Sequence, residues 1–135
     1  MHKVVSEQGY MTSNVQNRDI NERSLTHRLA FHLESSGFFT GYSVDCEYNR
    51  RGIDTKTDNS GNSIFPDIIV HVRGQSDSNL IIIEAKKYND PPSEKQDAKE
   101  KLSSEKRRDG YHHAFLVIFP ERQNDISENS ILEIE

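Results

Sequence analysis

The sequence predicts an α/β protein with a mixed central sheet of about four to five strands flanked by helices. Short apolar segments of strand length combine with two segments of helical periodicity, in the order helix, strand, strand, strand, helix, strand. A helix joins the last two of these strands, which favours a parallel, right-handed crossover. The chain of 135 residues is long enough for one such domain and leaves little room for a second core.

The first helix is predicted over residues 19–36, after a polar and loosely ordered N-terminus at residues 1–18. Asp19 is a suitable N-cap and Gly37 a suitable C-cap. Three leucines recur at a spacing of i, i+4 and i+8 and form the inward stripe: Leu25, Leu29 and Leu33. This helix should therefore pack one apolar face on the sheet.

Three strands are predicted after this helix. Residues 42–48 alternate between apolar and polar side chains with a period of two. Residues 64–72 form a second apolar segment, and residues 80–87 a third, whose run of three isoleucines suits a strand buried on both faces. Because loops alone connect these three strands, we expect an antiparallel meander.

The second helix is predicted over residues 93–108. Ser93, with Gln96 three residues later, matches a capping box, and Ala98 and Leu102 should face inward. The many charged side chains of this helix are interpreted as a solvated face with i, i+4 pairs. The helix should therefore cover the sheet with a narrow apolar stripe.

A fourth strand is predicted over residues 114–119. The domain then spans residues 19–120, and residues 121–135 form a polar tail that ends in a short apolar segment. We expect that segment to be an edge strand.

Composition and charge exclude several classes of protein. Hydrophobic residues make up 33% of the chain and the net charge is -5, which argues against nucleic-acid binding through bulk positive charge. No segment approaches the roughly 18 apolar residues of a membrane helix, and the first residues lack the apolar core of a signal peptide. Cys46 is the single cysteine, so no intrachain disulfide forms. We therefore expect a cytoplasmic protein with no membrane partner.

Charged side chains mark the ends of two neighbouring predicted strands. Pro66-Asp67 begins one strand, and Glu84-Ala85-Lys86 ends the next. Glu84 and Lys86 point to the same face because side chains alternate along a strand. Two carboxylates and a backbone carbonyl make a hard oxygen site for Mg²⁺ or Mn²⁺, and a neighbouring ammonium can hold a water and stabilise a phosphorane-like transition state. Such groups suit phosphodiester hydrolysis.

These residues resemble the signature of the PD-(D/E)XK nuclease superfamily, which has the restriction-endonuclease-like fold, a three-layer sandwich. The resemblance implies a metal-dependent endonuclease that hydrolyses phosphodiester bonds in nucleic acid, with DNA favoured over RNA and with Mg²⁺ or Mn²⁺ as cofactor. The implied metal ligands are Asp67, Glu84, the Ala85 backbone carbonyl and, from the first helix, Glu22. Lys86 is then the catalytic lysine, acting beside Asp67 and Glu84.

The resemblance also suggests accessory residues. The family often has a polar residue on the helix after the motif, and Gln96 or Lys95 occupies such a position here. Arg50 and Arg51 lie in the loop before the second strand and are candidates for contact with a nucleic-acid backbone. Exposed arginines in loops are also commonly just solvated.

Simpler interpretations stand beside these. Glu84 and Lys86 also fit an ordinary charged strand end, and Glu22 fits a solvated acid favoured by the helix dipole. His71 shares a face with Asp67, but a packed strand histidine is favoured over a role at the site. No spacing of histidine and cysteine matches a zinc site.

A second function remains open beside the nuclease. The acidic composition also fits a catalytically silent module with this fold that binds nucleic acid or a protein partner. Cutting both strands with one site per chain would require a homodimer. The small size is also compatible with a subunit of a larger system.

Overall fold

The computed structural model describes residues 22–46, 66–75, 77–121 and 130–135. The predicted N-terminal segment 1–18 and the Asp19 cap lie outside these ranges. Seven elements are described, in chain order: α1 (Glu22–Ser35), β1 (Ser43–Cys46), β2 (Ile68–His71), β3 (Asn79–Lys87), α2 (Pro92–Asp109), β4 (His113–Phe119) and β5 (Ile131–Glu133). Neither described helix is long and apolar enough to cross a membrane.

The described strands form one mixed five-stranded sheet in the order β1-β2-β3-β4-β5. β1, β2 and β3 pair antiparallel, as the loop connections predict. β3 and β4 pair in parallel, with α2 as their crossover, and β5 pairs antiparallel with β4 at the edge. The α/β class, the mixed sheet and the parallel crossover are therefore confirmed.

The two helices lie on opposite faces of this sheet. On the α1 side, the leucine stripe packs against alternate strand residues such as Ile83 and Ala85. On the α2 side, Ala98 and Leu102 pack against the other set, which includes Ile82. β3 is thus buried on both faces, as its run of isoleucines predicts, and its even-numbered residues from Ile82 onward face α2.

The alternation along β3 is broken near its start. Strict alternation back from Glu84 places Leu80 on the α2 side, but Leu80 packs against the α1-side core. The reason is an irregularity in the β2–β3 pairing: Val70 faces Ile81, whereas His71 faces Asn79, so β3 holds one extra residue there. The site end of the strand, beyond Ile82, keeps its regular alternation.

α2 begins earlier than the sequence pattern predicts. Pro91 is its N-cap, Pro92 lies in the first turn, and no side chain caps the helix. The predicted capping box of Ser93 and Gln96 is therefore wrong. Proline already has a helical φ angle and lacks an N–H group, so it fits the first helical position without a capping side chain. The helix ends at Asp109, one residue beyond the predicted range, and Gly110, whose φ is 72°, has the left-handed C-cap conformation.

Truncation of Leu102 tests the packing of α2. Leu102 is fully buried between α2 and the sheet, so Leu102→Ala should lower the free energy of unfolding by about 2–5 kcal/mol. Urea unfolding followed by circular dichroism measures this. Gln96→Ala, at an exposed position of the same helix, is the control and should change it by no more than about 0.5 kcal/mol. Equal losses in both variants would contradict this packing.

Candidate active site

Asp67 and Glu84 come together on the α2 side of the sheet, where β2 begins and β3 approaches its end. Glu84 is only 5% exposed. The Asp67 carboxylate is close enough to raise the pKa of Glu84, both by its charge and by a hydrogen bond between the two side chains. Residues 17 positions apart in the chain thus form one pair of carboxyl groups.

Asp67 also fixes the backbone of the neighbouring strand. Its Oδ2 accepts a hydrogen bond from the backbone N–H of Ala85 at 2.7 Å. Continuing the pairing of Ile68 with Ile83 places Ala85 opposite Pro66, which has no N–H to donate. Because the N–H and C=O of a strand residue point to the same edge, the Ala85 carbonyl faces β2 without a donor from Pro66. The Pro-Asp pair thus leaves a carbonyl oxygen next to the carboxyl pair.

Lys86 lies on the same face as Glu84, two residues along β3. Both side chains line a pocket of about 230 Å³ between the sheet and α2. We call it the Glu84 pocket; its lining residues are Glu84, Lys86, Glu94, Asp97, Ala98 and Lys101. Glu84, the lysine of the motif and the first half of α2 therefore share one cavity.

Lys101 of α2 binds the buried carboxylate directly. Its Nζ lies 2.7 Å from Glu84 Oε1, and its side chain is 33% exposed. Burial first, and then the nearby Asp67 charge, raises the pKa of Glu84 well above its ordinary value, although Lys101 opposes this. Burial alone would lower the pKa of Lys101, but the charge and hydrogen bond of Glu84, together with the nearby charges of Glu105 and Asp67, raise it. The carboxyl pair is thus held against a cation from the protein itself.

The sequence patterns do not single out Lys101, Glu94 or Asp97. We expected the charged residues of α2 to form a solvated face. These three continue the side of α2 that carries Ala98, at helical spacings of three and four residues. Lys101 is half-buried there, whereas Glu94 and Asp97 line the pocket with exposed side chains. That continuation is the signal by which they could have been found.

Other predicted site residues lie elsewhere. Gln96 is exposed and does not line the Glu84 pocket, and Lys95 Nζ donates to the backbone carbonyl of Tyr88 at 2.9 Å. Arg50 and Arg51 lie outside the described residues. Glu22 is the first residue of α1, and its side chain is not among those described.

His71 belongs to a separate polar cluster on β1 and β2. It is 2% exposed, and its Nε2 lies 2.7 Å from Asp45 Oδ2. Arg73 donates two hydrogen bonds to the same carboxylate, at 2.9 Å and 2.6 Å. The structure thus places His71 in strand packing, as favoured above. The Arg73 hydrogen bonds, helped by His71 and opposed by partial burial, lower the pKa of Asp45.

The donor set near Glu84 can be compared with the needs of a metal ion. Among the residues that the structure describes, no group of three or more histidine, cysteine or acidic side chains could hold a metal ion. Asp67, Glu84 and the Ala85 carbonyl supply three oxygens of two kinds. Mg²⁺ commonly uses only one or two carboxylates and completes its octahedron with waters and substrate phosphate oxygens. The available donors therefore fit Mg²⁺ or Mn²⁺ and do not fit a fully protein-ligated site.

Comparison with protein-family models, curated proteins and solved structures finds no match to this chain. Interpretation of the Glu84 pocket therefore depends on its own residues.

The Asp45 cluster predicts a pH-dependent loss of stability. A carboxylate whose pKa falls on folding stabilises the protein above its unfolded value of 3.8, and this contribution is lost as the pH drops through the lower folded value. Asp45→Asn should therefore lower the free energy of unfolding by about 1 kcal/mol near neutral pH, since Arg73 is largely exposed.

Urea unfolding of both proteins at a series of pH values measures this difference. It should shrink as the pH falls below about 4. A difference that stays constant to the lowest pH at which both proteins fold would contradict the account.

Proposed function

We propose that this protein is a metal-dependent nuclease of the PD-(D/E)XK type, with the restriction-endonuclease-like fold. The observation that carries the proposal is the 2.7 Å hydrogen bond from the Ala85 N–H to Asp67, which holds Asp67 next to the Glu84–Lys86 segment, with Glu84 and Lys86 lining one pocket. The mixed sheet between two helices, with its parallel crossover after the motif, is compatible with that fold. The reaction proposed is the addition of water across a phosphodiester P–O bond.

The residues of the proposed metal site and its neighbour Lys86 have distinct roles. Asp67, Glu84 and the Ala85 carbonyl would hold Mg²⁺ or Mn²⁺ on the α2 side of the sheet, whereas α1, the helix that carries Glu22, packs on the opposite face. When bound, the ion lowers the pKa of a water molecule and neutralises charge on the phosphate. Asp67 keeps β3 in place through the Ala85 N–H, and the ammonium of Lys86 orients the water and stabilises negative charge on the phosphoryl oxygens.

The substrate class of this proposal comes from the resemblance alone. We place DNA ahead of RNA, and with a net charge of -5 the protein would hold nucleic acid through local contacts and bound cations. Arg50 and Arg51 remain the proposed backbone contacts. Cleavage of both strands would require two copies of the chain, or a partner in a larger assembly.

Site variants test the nuclease proposal. Purified protein with Mg²⁺ or Mn²⁺ should cleave DNA, and Asp67→Asn, Glu84→Gln and Lys86→Met should each lower the cleavage rate at least about a hundredfold. Rates are measured on labelled single-stranded and duplex substrates, with folding checked by circular dichroism.

Lys87→Met is the matched control, because it removes a lysine from the same strand on the opposite face. It should keep nearly the full rate. Cleavage that survives all three site changes would discard the proposed catalytic residues.

The Lys101 contact favours a second candidate function. The ammonium of Lys101 neutralises Glu84 without any added ion. A site satisfied in this way also fits a catalytically silent module that binds nucleic acid or a protein partner.

Calorimetry with Mn²⁺ separates the two functions. The nuclease proposal expects binding at millimolar or lower concentration that disappears in Asp67→Asn, because the mutation removes one of the two carboxylates. The silent module expects no binding by either protein.

A further inference from the structure

The Glu84 carboxylate already has a cation as its partner. Lys101 Nζ lies 2.7 Å from Glu84 Oε1, and Glu84 is buried between β3 and α2. This carboxylate is also the ligand that the proposed nuclease needs for its metal ion. An ammonium and a divalent ion on the same carboxyl pair would repel each other strongly in a buried site.

We propose that Lys101 is an internal counter-cation that a divalent ion must displace from Glu84 before the site is loaded. This inference rests on the proposed function and adds a step to it. In the metal-free site the ion pair of Lys101 with Glu84 links α2 to β3, and metal binding would exchange one cation for another. Lys101 is thus a positioning residue that sets the metal affinity.

The structure gives the displaced ammonium somewhere to go. Lys101 is partly exposed and lies at the pocket lining, where Asp97 stands one helical turn earlier. Glu105 lies one turn later on the inward side of α2. A rotation of the Lys101 side chain toward the exposed Asp97 would move its ammonium from the buried Glu84 toward solvent without moving the backbone.

Removal of the ammonium should tighten metal binding. Lys101→Met should bind Mn²⁺ with a dissociation constant roughly tenfold or more lower than that of the unaltered protein, because one positive charge beside the ion is gone. Lys99→Met removes the same charge from the same helix at a residue that does not line the pocket, and its dissociation constant should stay within about twofold. Isothermal titration calorimetry measures all three, independently of cleavage.

The outcomes separate this inference from the nuclease proposal. In one outcome the unaltered protein binds Mn²⁺, Asp67→Asn abolishes this binding, and Lys101→Met binds Mn²⁺ equally well or more weakly. This outcome would overturn the counter-cation role of Lys101 and leave the nuclease proposal standing. Binding by Lys101→Met but not by the unaltered protein would support the role in its strongest form. Absence of binding by both proteins would overturn the nuclease proposal and this inference with it.

A second measurement covers the case in which Lys101→Met does not fold, because it leaves the buried Glu84 carboxyl group without its cation. Acetylation of the unaltered protein with an amine-specific reagent is followed by mass spectrometry of the modified lysines. Mn²⁺ should raise the modification rate of Lys101 severalfold relative to Lys99, since the metal releases the ammonium from Glu84. An unchanged rate for Lys101 under conditions where Mn²⁺ binds would overturn the inference.

Discussion

The site depends on one physical constraint: two carboxyl groups lie side by side where two inner strands of the sheet begin and end. Asp67 and Glu84 repel each other, and burial makes the charge of Glu84 costly. Such a pair is stable only with protons, hydrogen bonds or a cation. The protein supplies the Ala85 N–H to Asp67 and the Lys101 ammonium to Glu84. The proposed chemistry therefore depends on whether the Lys101 ammonium or a divalent ion neutralises Glu84.

The topology of the sheet delivers these groups to one place. The antiparallel pairing of β2 with β3 brings the start of one strand beside the end of the other, so Asp67 meets Ala85. The parallel crossover then returns α2 over the same face, with its first turns beside Glu84 and Lys86. A simple continuation of the antiparallel meander would place no crossover helix there.

Local sequence patterns were sufficient to predict the order of helices and strands and about half of the residues of the site. Periods of two and of about 3.6 residues locate the strands and helices, and alternation places Glu84 and Lys86 on one face. Lys101 could not be predicted in the same way, because its contact depends on how α2 is rotated and shifted against β3. The Asp45–His71 contact likewise depends on the pairing register of β1 with β2, which no local pattern specifies.

Anomalous diffraction from crystals grown with Mn²⁺ tests the central claim most directly. We expect one Mn²⁺ peak coordinated by oxygens of both Asp67 and Glu84, with Lys101 Nζ moved away from its 2.7 Å contact. The contrary result is a crystal structure, obtained at millimolar Mn²⁺, in which Lys101 keeps that contact and no Mn²⁺ lies between the two carboxyl groups. This result would contradict the proposed metal site.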